Sequence, residues 1–347
     1  MLKISVASLR RIDGIQLTGR HAWPDELTNA ARAYAREPDA SRRGALRSEQ
    51  HKAAEYLVSL QEKLGFSYVT DGGFGLKDDF IPYIEKVKGV EGGKGQINQQ
   101  PGTRNEYYFI PIVTGKLEPE GGVYEEYLLT DALPKAAKKK LIIASPLSLA
   151  LASQATSYSR KVDLLYDFAD IQKREVAAQS AHYDYFQLTE SFSGDDRFSA
   201  EVTRDVMSAF RYSLDRIFKG TGVRSAVYFS SGNAIDVIPF ALDSRVTDVG
   251  FDFNTYGYEE LGGKIEKNLI LGLQNITRKL PENLLADEPK RLAAQAREVL
   301  SKFGVEDGAE VFLGQSQGSD GLQTYPQAIK RDENLSKAFE LLRGESK

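Results

Sequence analysis

The alternation of strand-type and helix-type segments constrains the fold of this chain more than any other feature. Eight short apolar runs have strand composition, and helical periodicity recurs between them. The predicted strands are residues 3–7, 68–70, 140–144, 185–188, 225–229, 248–253, 268–273 and 310–313. Eight such units predict an α/β fold, a closed (β/α)8 TIM barrel rather than an open sheet.

Helical segments are predicted at 24–36, 46–64, 161–181, 200–218, 235–242, 282–303 and 327–342. No Pro- or Gly-rich linker divides the chain, so residues 1–347 are predicted to form a single barrel domain. Residues 87–139 interrupt the alternation. Two strand-type runs in this region, 106–113 and 122–129, predict a β-hairpin inserted after the second strand and projecting from the barrel.

The amino-acid composition argues against a membrane-spanning or nucleic-acid-binding protein. The 347 residues are 41% hydrophobic, which is sufficient for a full core, and no apolar run approaches the roughly 18 residues of a membrane span. The formal net charge of −4 gives no sign of a nucleic-acid-binding surface. The N-terminal residues lack a signal-peptide pattern, so we expect a cytoplasmic protein without membrane or nucleic-acid partners.

The chain contains no cysteine and only three histidines, His21, His51 and His182. Thiolate nucleophiles and thiolate-bound zinc are therefore excluded for these residues. The histidines show no H-x-H or H-E-x-x-H spacing. We therefore expect no zinc site in this chain.

The stretch from Tyr68 to Phe80 reads YVTDGGFGLKDDF and contains the most informative local signal. Asp71 follows a predicted strand, and glycines after it free the backbone for a tight loop. Since α/β barrels expose working side chains at the carboxyl ends of their strands, Asp71 is a candidate catalytic residue. A glycine-rich turn with solvated aspartates explains the same stretch equally well.

The same rule, applied to every strand, predicts a site at one end of the barrel. The side chains that it selects are Ser8, Arg10, Arg11, Asp71, Ser145, Glu190, Ser230, Asn233, Asp252, Gln274, Asn275 and Gln315. Carboxylates, hydroxyls, amides and a basic loop together suit a polar, partly anionic small molecule.

Each of these assignments has an alternative. Glu190 and Asp252 lie among aromatic residues, so they could be a general acid and base or partners in salt bridges. Asp78 could contact a ligand or cap the following helix. Arg10 and Arg11 could clamp a carboxylate or phosphate or lie in a solvated loop.

Six short motifs follow one another along the chain, and their order resembles the cobalamin-independent methionine synthase family. They are Arg11-Ile12-Asp13, Gly72–Asp78 (GGFGLKD), Arg104–Pro111 (RNEYYFIP), Ser145–Ala150 (SPLSLA), Phe186–Ser191 (FQLTES) and Val227–Ser230 (VYFS). The resemblance, closest to the family's non-zinc N-terminal barrel, implies a barrel of the methionine synthase/uroporphyrinogen decarboxylase-like type. It also implies methyltransferase activity in methionine biosynthesis, with a folate-type methyl donor and a thiol acceptor such as homocysteine.

The departures from the family are informative. Its catalytic barrel binds zinc through a His-x-Cys pair, a glutamate and a further cysteine, whereas the corresponding segments here are Tyr228-Phe229-Ser230, Asp252 and Ser319-Asp320-Gly321. The resemblance therefore implies a barrel that binds the methyl donor and works with a separate zinc-bearing barrel. The residues implied in donor binding are Arg10 and Arg11 at the anionic tail and Phe74, Asn105, Tyr107 and Gln187 at the mouth.

Two other classes of function stay open. One is a zinc-free barrel enzyme with Glu190 and Asp252 as acid and base, or with Asp71 added to hold a hard cation such as Mg²⁺. The other is a non-catalytic scaffold whose interface is formed by the tyrosines of the predicted hairpin, Tyr107, Tyr108, Tyr124 and Tyr127. Whether the protein forms a homo-oligomer is also open.

Overall fold

We describe the fold from a computed structural model of the chain. It describes residues 12–76, 78–93, 96–98, 106–108, 110–230, 234–253, 264–274, 288–302, 304–305, 307–315 and 324–344. The predicted strand at 3–7 and the predicted site residues Ser8, Arg10, Arg11, Asn105, Asn233 and Asn275 lie outside these ranges. For Tyr107 and Gln274 only the backbone is described.

Helices follow most strands of the second half of the described chain, whereas the first half contains three successive helices and four successive strands. The strands are β1 (Gly14–Gln16), β2 (Val87–Gly92), β3 (Gln96–Asn98), β4 (Glu106–Tyr108), β5 (Pro111–Pro119), β6 (Lys140–Ala144), β7 (Gln154–Ala155), β8 (Tyr185–Glu190), β9 (Arg224–Phe229), β10 (Asp248–Asp252), β11 (Lys264–Ile265), β12 (Asn268–Gln274), β13 (Gly304–Val305) and β14 (Val311–Gln315). The α-helices are α1 (Asp25–Arg36), α2 (Ala40–Lys63), α3 (Ile81–Lys86), α4 (Pro146–Ala152), α5 (Lys161–Gln179), α6 (Arg204–Phe218), α7 (Ile238–Leu242), α8 (Pro289–Lys302) and α9 (Tyr325–Arg343). Within the described ranges, no helix is long and apolar enough to cross a membrane.

The main sheet has seven parallel strands in the order β1-β14-β12-β10-β9-β8-β6. The predicted α/β fold with a parallel sheet is confirmed, and the last six predicted strands are correct to within two residues at each end. The sheet curls as in a TIM-like fold, but among the described residues its strand ladder does not close into the predicted eight-stranded barrel.

The predicted second strand, 68–70, forms a single bridge, between Val69 and Lys139. The backbone of Thr70, the last residue of this segment, pairs with the side chain of Gln61 rather than with a neighbouring strand. The Thr70 N–H donates to Gln61 Oε1 at 3.0 Å, and Gln61 Nε2 donates to the Thr70 carbonyl at 2.9 Å. Because these backbone groups are already paired with α2, they do not extend the ladder.

The first strand of the sheet is β1 at Gly14–Gln16, in a segment that the sequence analysis placed at the end of the basic loop. Three residues are too few to show the alternation of a strand. The glycine has a steric role, because a Cβ on Gly14 would lie 1.9 Å from Ser67 Oγ. The loop that follows this strand, Leu17–Ala22, lies at the carboxyl end of β1.

The predicted hairpin between 106–113 and 122–129 is wrong. The antiparallel ladder pairs β2 with β5, β3 pairs with β4, and residues 122–129 form no strand. The carboxylate of Glu175 on α5 accepts hydrogen bonds from Val123 N at 2.8 Å and Tyr124 N at 3.2 Å, so a helix satisfies this backbone. Tyr124 is buried and donates to Tyr83 Oη, so it is not available for the proposed interface.

Aromatic side chains fill the interior of the curled sheet. Tyr228 on β9 occupies space that glycines on neighbouring strands leave open. A Cβ on Gly250 would lie 2.3 Å from the Tyr228 ring, and a Cβ on Gly272 would lie 1.9 Å from its hydroxyl oxygen. The same hydroxyl donates to the Gln315 carbonyl at 2.7 Å, so the ring also fixes the end of β14.

An ion pair lies at the amino ends of the strands. Arg224 donates from Nε to Asp248 Oδ2 at 2.7 Å and from Nη2 to Oδ1 at 3.0 Å. Asp248 is buried and also accepts hydrogen bonds from Tyr185 Oη and from Asn268 Nδ2. The guanidinium carbon lies 4.8 Å from the centre of the Phe312 ring. Both charges are therefore paired in an aromatic, water-poor environment.

Lys140, the first residue of β6, is a fully buried basic residue. Its Nζ donates to Gln16 Oε1 at 2.7 Å and to the Leu17 carbonyl at 2.8 Å, and it lies 4.9 Å from the Tyr185 ring centre. Burial lowers the pKa of Lys140 well below that of a free lysine. This side chain links β6 to the end of β1.

Arg224→Met is expected to lower the free energy of unfolding by about 3–5 kcal/mol, since it leaves Asp248 buried without its cation. Urea unfolding measures the change. The matched control is Arg216→Met, which breaks an exposed ion pair with Asp170 and should cost less than about 1 kcal/mol. Equal losses in the two variants would contradict a special role for the interior pair.

Lys140→Met is expected to change how stability depends on pH. The unfolded chain keeps the Lys140 proton up to about pH 10.4, whereas the folded chain releases it at a lower pH. Unfolding of the wild type therefore takes up a proton, which the Lys140→Met variant cannot do. The free energy of unfolding of the wild type minus that of Lys140→Met should rise with pH. Urea unfolding from about pH 6 to pH 9 measures this difference, with exposed Lys138→Met as control. A difference that is flat or falls with pH would contradict the expectation.

Candidate functional site

The carboxyl ends of the parallel strands form one edge of the sheet, where sites of this architecture are built. The structure places five predicted site residues at this edge: Ser145, Glu190, Ser230, Asp252 and Gln315. All five are buried. The site that they form is therefore a hydrogen-bonded layer beneath the mouth rather than a set of exposed groups.

Glu190, the last residue of β8, is held by three donors. Its Oε1 accepts hydrogen bonds from Phe192 N at 3.0 Å and Ser193 N at 2.8 Å, and its Oε2 accepts one from Ser145 Oγ. Burial raises the pKa of the Glu190 carboxyl, while these donors oppose the shift. The carboxylate thus joins the ends of β6 and β8 and orders the turn after β8.

A row of hydroxyls continues from Glu190 across three strand ends. Ser145 Oγ accepts from Ser148 N at 2.9 Å and so caps α4, and Ser148 Oγ accepts from Ser191 N at 2.9 Å. Ser191 Oγ and Ser230 Oγ are 2.7 Å apart. We call Ser145, Ser148, Ser191 and Ser230 the hydroxyl row. It gives the mouth a continuous polar rim, of which Ser191 is partly exposed.

The loop after β1 is braced at several points. Gln187 Nε2 donates to the Thr18 carbonyl at 2.6 Å, and Thr18 Oγ1 donates to the Gln315 carbonyl at 2.8 Å. His21 N donates to the Gly72 carbonyl at 2.9 Å. The buried Gln187 therefore positions this loop from below instead of lining an open mouth.

His21 and Asp332 form a buried pair that the sequence analysis missed. His21 Nε2 lies 3.2 Å from Asp332 Oδ2, and Gln315 Nε2 donates to Asp332 Oδ1 at 2.8 Å. The pair joins α9 to the ends of β1 and β14. No local pattern could reveal it, since the two residues are 311 positions apart in the sequence.

Asp71 binds backbone N–H groups on two segments of the chain. Its Oδ1 accepts from Gly73 N at 2.9 Å and its Oδ2 accepts from Leu129 N at 3.1 Å. Burial raises the pKa of the Asp71 carboxyl, and these two N–H groups oppose that shift. The side chain anchors the segment around Leu129 and closes its own glycine turn.

Asp78 accepts hydrogen bonds from Phe80 N and Ile81 N, both at 2.7 Å, which is the helix-start arrangement considered from the sequence. Phe74 is fully buried and packs edge-on against His21, with ring centres 6.0 Å apart, so it does not line an open mouth.

Arg20 is partly exposed on the loop after β1. Its side chain lies across Gly73, where a Cβ would be 2.6 Å from Arg20 Cγ.

The described residues include no group of three histidine or acidic side chains close enough to hold a metal ion. The hard-cation site proposed for Asp71, Glu190 and Asp252 is therefore wrong for this structure. Asp71 and Glu190 instead bind backbone N–H groups of their own loops, while Asp252 is buried at the end of β10.

Comparison with known proteins gives a fold-level likeness. No family model and no curated protein matches the sequence. A solved B12-independent methionine synthase from Shewanella sp. W3-18-1, in complex with selenomethionine, superimposes with a TM-score of 0.69 at 16% identity, covering 96% of this chain and 98% of that one. A putative vitamin-B12 independent methionine synthase from Listeria monocytogenes gives 0.64 at 15% identity, covering 97% and 99%. The chain therefore has the fold of these proteins.

Glu190→Gln is expected to lower the free energy of unfolding by about 1–3 kcal/mol, because the neutral amide loses the charge-assisted hydrogen bonds from Phe192 N and Ser193 N and presents an NH2 group where the carboxylate accepted from Ser145 Oγ. Urea unfolding measures the loss. Glu125→Gln, which changes an exposed glutamate in the same way, is the control and should be nearly neutral. If the Glu190 variant were as stable as the control, the carboxylate would not hold the two strand ends.

Proposed function

We propose that the protein is a methyl-donor barrel of the methionine-synthase-like type. It binds a folate-type methyl donor and takes part in methyl transfer to a thiol such as homocysteine, within methionine biosynthesis. The observation that carries the proposal is the likeness of fold to a B12-independent methionine synthase over 96% of this chain and 98% of that chain. The order of the sequence motifs supports it independently.

Zinc-dependent activation of the thiol does not fit the residues of this chain. The 347 residues contain no cysteine, and the described residues contain no cluster of metal ligands. The proposal therefore assigns thiol activation to a separate zinc-bearing barrel protein. The contribution of this chain is to bind and orient the donor and to exclude water around it.

The proposed donor site lies above the hydroxyl row. Thr189 and Ser191 are partly exposed there, and Arg20 is 18% exposed on the braced loop after β1. These groups offer hydrogen bonds to a polar heterocycle and a cation to an acidic tail. Arg10 and Arg11 remain predicted contacts of that tail. Glu190, Gln187 and His21 act from beneath, by fixing the loops that present these groups.

Methyltetrahydrofolate is expected to raise the melting temperature of the protein. At about 100 times its Kd, a ligand that binds only the native state adds about 2.7 kcal/mol. A double variant, Arg10→Gln with Arg11→Gln, should reduce the shift, whereas Lys138→Gln, at the opposite end of the sheet, should retain it.

The control ligand is p-aminobenzoylglutamate, which has the acidic tail without the pterin. A folate-specific shift supports the proposal. The absence of a shift at any accessible concentration, or an equal shift with the control ligand, would contradict it.

A further inference from the structure

A cavity of about 300 Å³ lies outside the mouth layer, at the carboxyl end of α4. It separates the Leu151–Ala155 segment from the Phe198–Glu201 segment, and Ile110 and Lys161 complete the wall. The volume is at the lower end of the range for small-molecule sites and leaves room for about ten heavy atoms at ~30 Å³ each. None of the groups used in the proposed donor site lines it.

One side of this cavity is apolar. Ile110, Leu151, Ala152, Ala155 and Phe198 form it. The Phe198 ring is fixed in place, because it packs edge-on against Phe192 with ring centres 5.8 Å apart. A compact apolar group would be removed from water against this side.

The opposite side is rich in acceptors. Lys161 Nζ donates to the Ala150 carbonyl at 3.0 Å and lies 3.5 Å from the Ser153 carbonyl oxygen. It also pairs with Glu201 Oε2 at 2.7 Å. An ammonium has three N–H donors, so these three acceptors engage all of them. An anionic ligand would have to break these bonds, and Lys161 is therefore a poor anion site.

The Glu201 carboxylate can accept a further hydrogen bond. Its side chain is 41% exposed, and Lys161 engages one of its two carboxylate oxygens. The second oxygen has no hydrogen-bond partner among the described residues. A charged donor placed at this oxygen would form a charge-assisted hydrogen bond with the carboxylate.

We propose that this cavity binds an organic cation, a primary amine carried on a compact apolar body. The ammonium pairs with Glu201, and the apolar body lies against Leu151, Ala155 and Phe198. The proposal is independent of the donor site at the mouth.

The test uses the full chain and three probes of similar size: 2-phenylethylamine, its neutral isostere 2-phenylethanol, and phenylacetate. Calorimetric titration should show the amine binding at least about tenfold more tightly than the alcohol, equivalent to about 1.4 kcal/mol, and no binding of phenylacetate. Glu201→Gln should lower the affinity for the amine to that for the alcohol. Ala155→Leu should abolish binding of both by filling the cavity.

The control is Glu125→Gln, which should leave all affinities unchanged, and the melting temperature without ligand checks that each variant folds. Three results would overturn the proposal: no binding of the amine at millimolar concentration, binding of phenylacetate as tight as that of the amine, or an unchanged affinity for the amine in Glu201→Gln.

Discussion

The ion pair of Arg224 and Asp248 is the interaction on which the rest of the interior depends. Both residues begin strands, and so do Lys140, Tyr185 and Asn268, whose side chains meet at the same end of the sheet. Burying Lys140 and the Asp248 carboxylate is costly unless each finds partners, and here the partners come from different strands. The charges therefore fix which strands are neighbours, and the tyrosines above them fill the remaining space.

Side chains at the carboxyl ends of the strands are also held by hydrogen bonds to neighbouring segments. Glu190, Ser145 and Ser230 bind one another's loops, and Asp332 joins the loop after β1 to α9. A carboxylate held by several N–H and O–H donors makes this layer rigid, and rigid support is what a binding surface above it requires. This arrangement suits a barrel that positions a donor better than one that supplies its own acid and base, because the Glu190 carboxylate is occupied by structural hydrogen bonds.

The strong periodic segments were predictable from the sequence, and the elements defined by tertiary contacts were not. The strand at 140–144, the helix at 161–181 and the strand at 185–188 are correct to within two residues, because apolar runs and helical periodicity determine them. Strand β1 was missed because three residues have no measurable period. The hairpin prediction failed because Glu175, in a distant helix, takes the backbone N–H groups of Val123 and Tyr124.

The rule that strand ends carry function selected Ser145, Glu190 and Gln315, which do lie at the carboxyl ends of strands, and their part in function stays a prediction. It could not reveal what each side chain binds. His21 carried no signal, since its partner lies 311 residues away, and the buried position of Phe74 follows from packing that no local pattern encodes.

The most direct test of the central claim is transfer of a labelled methyl group from methyltetrahydrofolate to homocysteine. It is measured with this chain alone, with a zinc-bearing methionine-synthase-like barrel alone, and with the two combined. The account predicts label in methionine at a rate in the mixture that exceeds the sum of the separate rates. A mixture that is no faster than the zinc-bearing barrel alone, or full activity of this chain by itself, would contradict it.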